Sequence, residues 1–234
     1  MSFALFAWPK QAEFNRVLPK SKIYEHARPS RSIRDQFVEE VDQIVWKYKL
    51  SPETVNLPSR PGVPEIEVFS VSLRTRELSE SILRTIDKAI PFPILFELSH
   101  DGQIKSTAAF KRPSDADVAK WVVDAYFETP WQPAEHPREP LPVALDLLGL
   151  YEQLLRRQLA LEARPGESLK AFVERSNHIQ RKKNECSKLE TRLQQEKQFN
   201  RRVELNRELR RLRSELDSLM GVSDMKELDV TWTN

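Results

Sequence analysis

A stretch of 52 residues without glycine or proline, from Ser168 to Leu219, most restricts what this chain can fold into. Glycine and proline are the residues that disfavour a helix interior most strongly, so their absence predicts helix across the stretch. At about 1.5 Å per residue, a single unbroken helix would be about 78 Å long. We therefore expect a helical arm in the C-terminal third of the chain.

Apolar residues recur every three or four positions in two parts of this stretch. The first part contains Leu169, Phe172, Ile179 and Cys186, with the polar residues Ser176 and Lys183 at the seam positions between them, and the second contains Leu205, Leu209, Leu212, Leu216 and Leu219. Between the two parts, the apolar positions do not keep one register. The spacing predicts two coiled-coil stretches joined by a phase shift. The alternative is a helical hairpin with a sharp bend near Asn177–Asn184.

A leucine-rich segment between residues 145 and 161 precedes this stretch and predicts a further helix. The turn Arg164–Glu167 allows this helix to pack antiparallel against the first coiled-coil part. It is too short to cover the second part as well. The second leucine stripe should therefore contact the N-terminal domain, a second copy of the chain or a larger protein partner. The predicted partner-binding residues are Leu205, Leu209, Leu212, Leu216 and Leu219.

The N-terminal half alternates between helical and strand-like patterns. Asn15–Ser30 reads as an extended or looping segment, and the apolar spacing that follows predicts a helix from Ser30 or Ser32 to about Lys49. Alternating residues predict a strand over Glu65–Leu73. The remaining predicted elements are a helix over Glu77–Ile90, strands over Pro93–Leu98 and Ile104–Lys111, and a strand over Trp121–Phe127. This order predicts an α+β fold in which helices pack on a mixed sheet.

The dipeptide Asp101-Gly102 is the clearest turn signal in the chain, because Asp-Gly tolerates the positive φ angles of a type I′ hairpin. Pairing about this turn places Leu98 opposite Lys105 and Phe96 opposite Thr107. Apolar residues then lie on both faces of the hairpin, which predicts that it lies inside the sheet.

Five prolines lie between Pro130 and Pro142, and they predict a stiff, extended linker. We therefore predict an α+β domain over residues 10–129, a proline-rich linker over 130–142 and a helical or coiled-coil arm over 143–220. Residues 221–234 form a tail, in which Leu228–Trp232 has a strand-like pattern.

The sequence lacks the common motifs of catalytic and cofactor sites. It contains no Walker A loop and no G-x-G-x-x-G motif. Its four histidines lie in four separate segments, and its one cysteine falls on the predicted coiled-coil seam. We therefore expect no cofactor, no metal site and a function that is not enzymatic.

The sequence also lacks an apolar run long enough to cross a membrane. Met1–Trp8 has neither the basic start nor the cleavage site of a signal peptide. With a single cysteine in the chain, we expect a cytoplasmic protein that does not contact a membrane.

Carboxylates on the predicted strands suggest one enzyme class, a divergent metal-dependent nuclease. Such a site needs carboxylates on neighbouring strands together with a Glu-x-Lys motif. Glu65, Glu67 and Glu97 lie on predicted strands, but neither strand contains that motif. We expect Glu65 and Glu67 to form the solvated face of their strand and Glu97 to pair with a basic group.

Basic residues concentrate in the predicted arm, where Pro165–Met220 contains 14 Lys and Arg residues against 9 Asp and Glu residues. Such an excess suits an acidic partner or nucleic acid. The predicted nucleic-acid contacts are Lys20, Lys22, Tyr24, Arg201, Arg202, Arg207, Arg210 and Arg211. Interspersed glutamates in the arm also fit a simpler role for its arginines, in ion pairs along the helix.

Several strings of this sequence resemble a known family. They are Asn15–Tyr24, Ile44–Leu50, Ile86–Pro91 with Ile94–Glu97, and Glu196–Asn206. They resemble an uncharacterised prokaryotic family of domain-of-unknown-function proteins, over nearly the whole span Asn15–Leu219. Members of that family look like small partners of helicases and DNA methyltransferases, encoded beside them in restriction or phage-defence gene clusters. The resemblance implies a context in DNA processing and supplies no catalytic residues.

Residues and resemblance together favour a non-catalytic adaptor or accessory subunit. In this hypothesis the helical arm docks a larger helicase or methyltransferase, or associates with a second copy of the chain. A nucleic-acid-binding accessory protein is the main alternative, and a divergent nuclease is the least favoured one.

Overall fold

A computed structural model describes residues 5–114, 121–159 and 161–221. The chain forms two compact units that divide between residues 160 and 161. Within the described ranges, no helix is long and apolar enough to span a membrane. The predicted tail strand at 228–232 lies outside these ranges.

The first unit is an α+β structure, which confirms the predicted fold class. Its strands are β1 Phe6–Ala7, β2 Glu13–Val17, β3 Val41–Leu50, β4 Ile66–Leu73, β5 Ile94–His100, β6 Gln103–Pro113, β7 Trp121–Glu128, β8 Gln132–Pro133 and β9 Glu139–Pro140. Its helices are α1 Lys20–Ala27, α2 Arg31–Glu40, α3 Pro52–Val55, α4 Glu80–Ala89 and α5 Leu147–Gln158.

Strands β2 to β7 lie side by side in chain order, and β8 adds to β6 to give a seven-stranded mixed sheet. The pair β4–β5 is parallel and is connected through α4, whereas the other neighbours are antiparallel. Helices α1, α2 and α4 cover one face, where Phe37, Phe69 and Phe96 are buried in the main core. Helix α5 packs against β6 and β7.

The segment from Val41 to Leu50 is a strand, so the helix predicted from Ser30 to Lys49 is wrong over its second half. Helix α2 begins at the Ser30 cap and ends at Glu40, and β3 follows without a loop. The apolar spacing in this region fits either structure. Val41, Ile44 and Trp46 are residue types that fit the half-buried surface of a sheet, and tertiary pairing with β4 decides the outcome.

The segment predicted to be extended or looping, Asn15–Ser30, contains the end of β2 and helix α1. The helix ends at Ala27, and the capping residue Arg28 that follows has a φ of 49°, in the left-handed region. Glycine or asparagine is the usual residue for such a helix end, so arginine gave no signal there.

The β5–β6 hairpin has the predicted register. Leu98 lies opposite Lys105 and Phe96 lies opposite Thr107. Asp101 and Gly102 have φ angles of 45° and 72°, as a type I′ turn requires. Local turn chemistry therefore determined the pairing of these two strands correctly.

The prolines between Pro130 and Pro142 do not form a free linker. Strand β8 pairs with β6, and β9 pairs in parallel with β1. Between them, Arg138 forms two hydrogen bonds to the carboxylate of Glu97, at 2.6 and 3.2 Å. The segment is therefore fixed to the first unit.

Helix α5 belongs to the first unit and not to the arm, in contrast to the predicted domain boundaries. The hydroxyl of Tyr151 donates to the carbonyl of Ala109 at 2.6 Å and accepts from the backbone N–H of Lys111 at 2.9 Å. A bulge in β6 between Ala109 and Lys111 exposes these two backbone groups to α5. The apolar face of α5 thus packs against the sheet.

The second unit is a helical hairpin. Helix α6 spans Leu169–Gln195, helix α7 spans Phe199–Met220, and residues 196–198 form the turn between them. Cys186 and Leu189 of α6 pack with Leu209 and Leu212 of α7. The phase shift seen in the sequence is therefore a reversal of the chain, later than the bend considered near Asn177–Asn184.

Two arginines, Arg164 and Arg175, bind the end of α7 at the open end of the hairpin. We call this pair the arginine clasp. Arg175 forms two hydrogen bonds of 2.7 Å to the carboxylate of Glu167 and reaches the carbonyl of Leu219 at 3.3 Å. Arg164 donates to the carbonyls of Ser218 and Leu219 at 3.2 Å. The last carbonyls of a helix have no partner within it, and here the two guanidinium groups satisfy them.

Candidate functional site

The predicted partner-binding leucines form the inner seam of the hairpin. Leu209 and Leu212 are each only 5% exposed, and Leu205 packs at the edge of the same core. Leu216 and Leu219 are half-buried. Helix α6 covers the centre of this stripe, so Leu209 and Leu212 are not open to an external partner, and contact of a partner with the remaining leucines stays a prediction. A single sequence shows that a leucine stripe needs a partner helix, but not which helix supplies it.

Two of the three predicted nucleic-acid contacts near the N-terminus have structural roles. The ammonium group of Lys20 donates to the carbonyl of Phe37 at 2.8 Å. The ring of Tyr24 packs edge-on against that of Phe37, at 5.4 Å between ring centroids. Lys22 remains exposed and pairs with Glu25 at 2.9 Å.

The predicted arginines of α7 are all exposed. They are Arg201, Arg202, Arg207, Arg210 and Arg211. Three of them, Arg207, Arg210 and Arg211, follow each other at helical spacing on the side of α7 opposite Leu209 and Leu212. We call these three residues the arginine ridge. Within the described ranges, Arg207 and Arg210 make no ion pair, and Arg211 approaches Glu215 at 3.8 Å.

The three glutamates considered for a nuclease do not converge. Glu97 receives hydrogen bonds from Arg138 and from the indole of Trp8 at 2.8 Å, as expected for a carboxylate paired with a basic group. Glu67 points to the opposite face of the sheet, since it lies level with Ile94 on the neighbouring strand, three residues before Glu97. Among the described residues, no group of three or more potential ligands could hold a metal ion.

Glu67 is fully buried, so the expectation that it lies on a solvated strand face is wrong. Neither of its carboxyl oxygens has a hydrogen-bond partner of normal geometry, and neither does the buried indole N–H of Trp46. Burial raises the pKa of Glu67 to about 9, and the nearby carboxylate of Glu65 adds to the shift. Glu65 itself is paired with Lys49 at 2.6 Å. Glu67 is therefore protonated at neutral pH.

A cavity of about 350 Å³ lies next to Glu67, between α1, strands β3 and β4, and the turn after α4. Its walls are mainly apolar and aromatic. It is lined by Leu18, Lys22, Ile23, His26, Trp46, Glu67, Phe69, Ala89, Ile90, Pro91 and Phe92. Two of its lining residues, Lys22 and His26, are exposed to solvent. We call this space the Glu67 cavity.

A family model for a domain of unknown function, DUF4391, matches residues 6–216. The chain belongs to the DUF4391 family. No curated protein and no solved structure matches the chain. The match extends over both units of this DUF4391 protein, from the first strand to the last turns of α7.

A second buried ionisable group in this DUF4391 protein is the pair of Lys111 and Asp87, both at most 2% exposed. Lys111 binds the carbonyls of Asp87 and Ile90 at the C-terminal end of α4, and Tyr126 donates to the Asp87 carboxylate. Burial lowers the pKa of Lys111 and raises that of Asp87. These contacts satisfy carbonyls at the end of the helix, so the pair anchors β6 to α4.

Sequence reasoning missed the Glu67 cavity. Trp46, on one wall of the cavity, stacks on Phe69 with 5.9 Å between the ring centroids. Glu65, Ser70 and Ser72 lie in the same segment as Glu67, and such polar residues are typical of a strand with one solvent-exposed face. The signal lies in α1, which closes over this part of the sheet and was not predicted.

Proposed function

We propose that this DUF4391 protein is a non-catalytic accessory subunit of a DNA-processing assembly and binds nucleic acid through the α6–α7 hairpin. The observation that carries the proposal is the arginine ridge. The leucines of α7 face α6, and the exposed opposite side presents Arg207, Arg210 and Arg211. The choice of a helicase or DNA methyltransferase as the larger partner rests on the family resemblance of the sequence.

Several features of the ridge suit phosphate groups. Guanidinium groups bind phosphate through two parallel hydrogen bonds and stay charged at all physiological pH values. The ridge side of α7 continues with Ser214, another hydrogen-bond donor, and its nearest acidic residues are Glu204, about one turn before Arg207, and Asp217, about one turn after Ser214. The glutamates of α7 lie on its flanks, where Glu215 binds Lys182 at 2.7 Å. Among the described residues, Arg207 and Arg210 thus make no ion pair, whereas Glu215 lies close to both Lys182 and Arg211.

Replacing Arg207, Arg210 and Arg211 together by glutamine should weaken binding to duplex DNA at least about tenfold at low salt. Each lost phosphate contact lowers the slope of log affinity against log salt by about 0.9, so the slope should fall by about 2.7. Fluorescence anisotropy with a labelled duplex at several salt concentrations measures both quantities.

The matched control replaces Lys10, Arg31 and Lys88 by glutamine, since these exposed residues of the first unit carry the same total charge. The control protein should keep the salt slope of the original. Equal losses in both proteins would show that net charge alone attracts DNA, and the ridge would have no specific role. A protein that binds no duplex at any salt concentration would contradict the proposal outright.

A further inference from the structure

The exposed side of α7 begins with two apolar residues before it reaches the arginine ridge. Phe199 and Val203 are 77% and 51% exposed, and we call this pair the apolar tip. Steps of four, four and three residues lead from Phe199 through Val203 to Arg207 and Arg210, so these four side chains lie along one side of the helix. The arginine ridge is thus continuous with a small apolar surface next to the turn of the hairpin.

The first turn of α7 also carries two arginines, Arg201 and Arg202, and no acidic residue. The positive end of the helix dipole disfavours cations at this place. The guanidinium group of Arg201 lies 4.0 Å from the carboxylate of Glu196, whereas Arg202 makes no ion pair within the part of the chain that the structure describes. An anion bound beside the apolar tip would offset the unfavourable placement of these charges.

The glutamates at this end of the hairpin lie on another side of α7. Glu196 and Glu204 line a groove between α6 and α7, and neither Phe199 nor Val203 lines that groove. Along the outer side of the helix, the apolar tip is therefore followed by arginine and not by carboxylate.

An aromatic surface next to guanidinium groups is the combination that binds single-stranded nucleic acid. Cations follow the phosphates, and the bases stack on aromatic side chains. Inside a duplex the faces of each base are covered by its neighbours, so Phe199 can stack only on an unpaired base. At about 1.5 Å per residue, the stretch from Phe199 to Arg210 is about 17 Å long, which accommodates several nucleotides.

The apolar tip is less suited to a protein partner. A stable protein interface buries about 800 Å² on each partner, and its core is depleted of charged residues. The apolar tip consists of two side chains, and exposed arginines surround it on α7. Its size corresponds to one stacked base and not to the core of a protein interface.

We propose that Phe199 stacks on an unpaired base of single-stranded DNA whose phosphates bind the arginine ridge. The inference rests on the proposed function of the hairpin and adds the kind of DNA that it prefers. The ridge can bind the phosphates of any DNA, whereas the apolar tip distinguishes strands with unpaired bases from those without them.

Fluorescence anisotropy of the full chain with two labelled strands tests the proposal. One is a thymidine decanucleotide, and the other is an abasic strand of the same length, with the same sugars and phosphates but no bases. Phe199→Ala should lower the affinity for the thymidine strand at least about fivefold, since it removes one aromatic platform for a base. It should change the affinity for the abasic strand less than about twofold, because the phosphate contacts remain.

Further variants separate stacking from simple apolar contact. Phe199→Trp should keep or raise the affinity for the thymidine strand, whereas Phe199→Leu, which is apolar but has no flat ring, should behave like Phe199→Ala. Val38→Ala is the matched control, since Val38 is 63% exposed on helix α2 of the first unit. It should leave both affinities unchanged.

The stack and the ridge can fail separately. The ridge variant with three glutamines should weaken both strands alike, whereas Phe199→Ala should act on the strand with bases. Unchanged affinity of Phe199→Ala for the thymidine strand, or an equal loss on both strands, would overturn the stack and leave the function of the ridge intact. A ridge variant that binds both strands as the original protein does would instead overturn the proposed function.

Discussion

Replacing Leu209 and Leu212 together by aspartate should unfold the α6–α7 hairpin and leave the first unit folded. Truncating a buried leucine costs about 2–5 kcal/mol, and an unpaired carboxylate in its place adds several kcal/mol more. Two such changes are comparable with the whole stability of a typical domain, about 5–15 kcal/mol. Both leucines lie in the small core that joins the two helices, with Cys186 and Leu189.

Circular dichroism at 222 nm measures this effect directly, because α6 and α7 contribute 27 and 22 helical residues. Phe199→Asp with Val203→Asp is the matched control, since these two apolar residues of α7 are 77% and 51% exposed. The control protein should keep the full helical signal. A double leucine variant with unchanged helicity would show that the two helices do not depend on each other.

Replacing Glu67 by glutamine should stabilise the protein increasingly as the pH rises. The folded protein holds the Glu67 proton up to a pKa of about 9, whereas the unfolded chain releases it near 4.5. The folded state therefore binds more protons between these values, and the free energy of unfolding falls with rising pH by about 1.4 kcal/mol per unit. Glutamine removes this dependence, for a gain of about 3 kcal/mol near pH 7.

Urea unfolding at pH 5, 6.5 and 8 tests this prediction. The gain from Glu67→Gln should be small at pH 5 and largest at pH 8. Glu53→Gln is the control, because Glu53 also lies in the first unit, where its carboxylate accepts a hydrogen bond from Ser51 at 2.6 Å and its pKa is lowered. Parallel stability curves for Glu67→Gln and the original protein would show that Glu67 is ionised in the folded state.

Local chemistry predicted those parts of the fold in which neighbours in sequence decide the structure. The Asp101-Gly102 turn fixed the register of β5 and β6, and an amphipathic pattern located α4. Residues 41–50 were assigned wrongly because the spacing of their apolar residues fits a helix as well as a strand. Their pairing with β4 joins residues that are 16 to 32 positions apart, and the periodicity of a short segment does not contain such long-range contacts.

For the site residues too, the sequence predicts local features but not long-range contacts. Exposure of the α7 arginines followed from their helical spacing, whereas the fate of the leucines depended on where the chain reverses. The turn at residues 196–198 contains neither glycine nor proline, so only the change of register of the apolar residues indicated a break, without locating it. Glu67 became buried because α1 and the residues after α4 close over the sheet at that point, and burial of this kind arises only from tertiary packing.

The arginine clasp makes the beginning of the hairpin depend on its end. Arg164 and Arg175 bind the carbonyls of Ser218 and Leu219, more than 40 residues further along the chain. During synthesis α6 therefore emerges well before the residues that complete its base, and its apolar side remains uncovered until α7 follows. The second unit can thus close only after its last helical turn has left the ribosome, and so later than the residues of the first unit emerge.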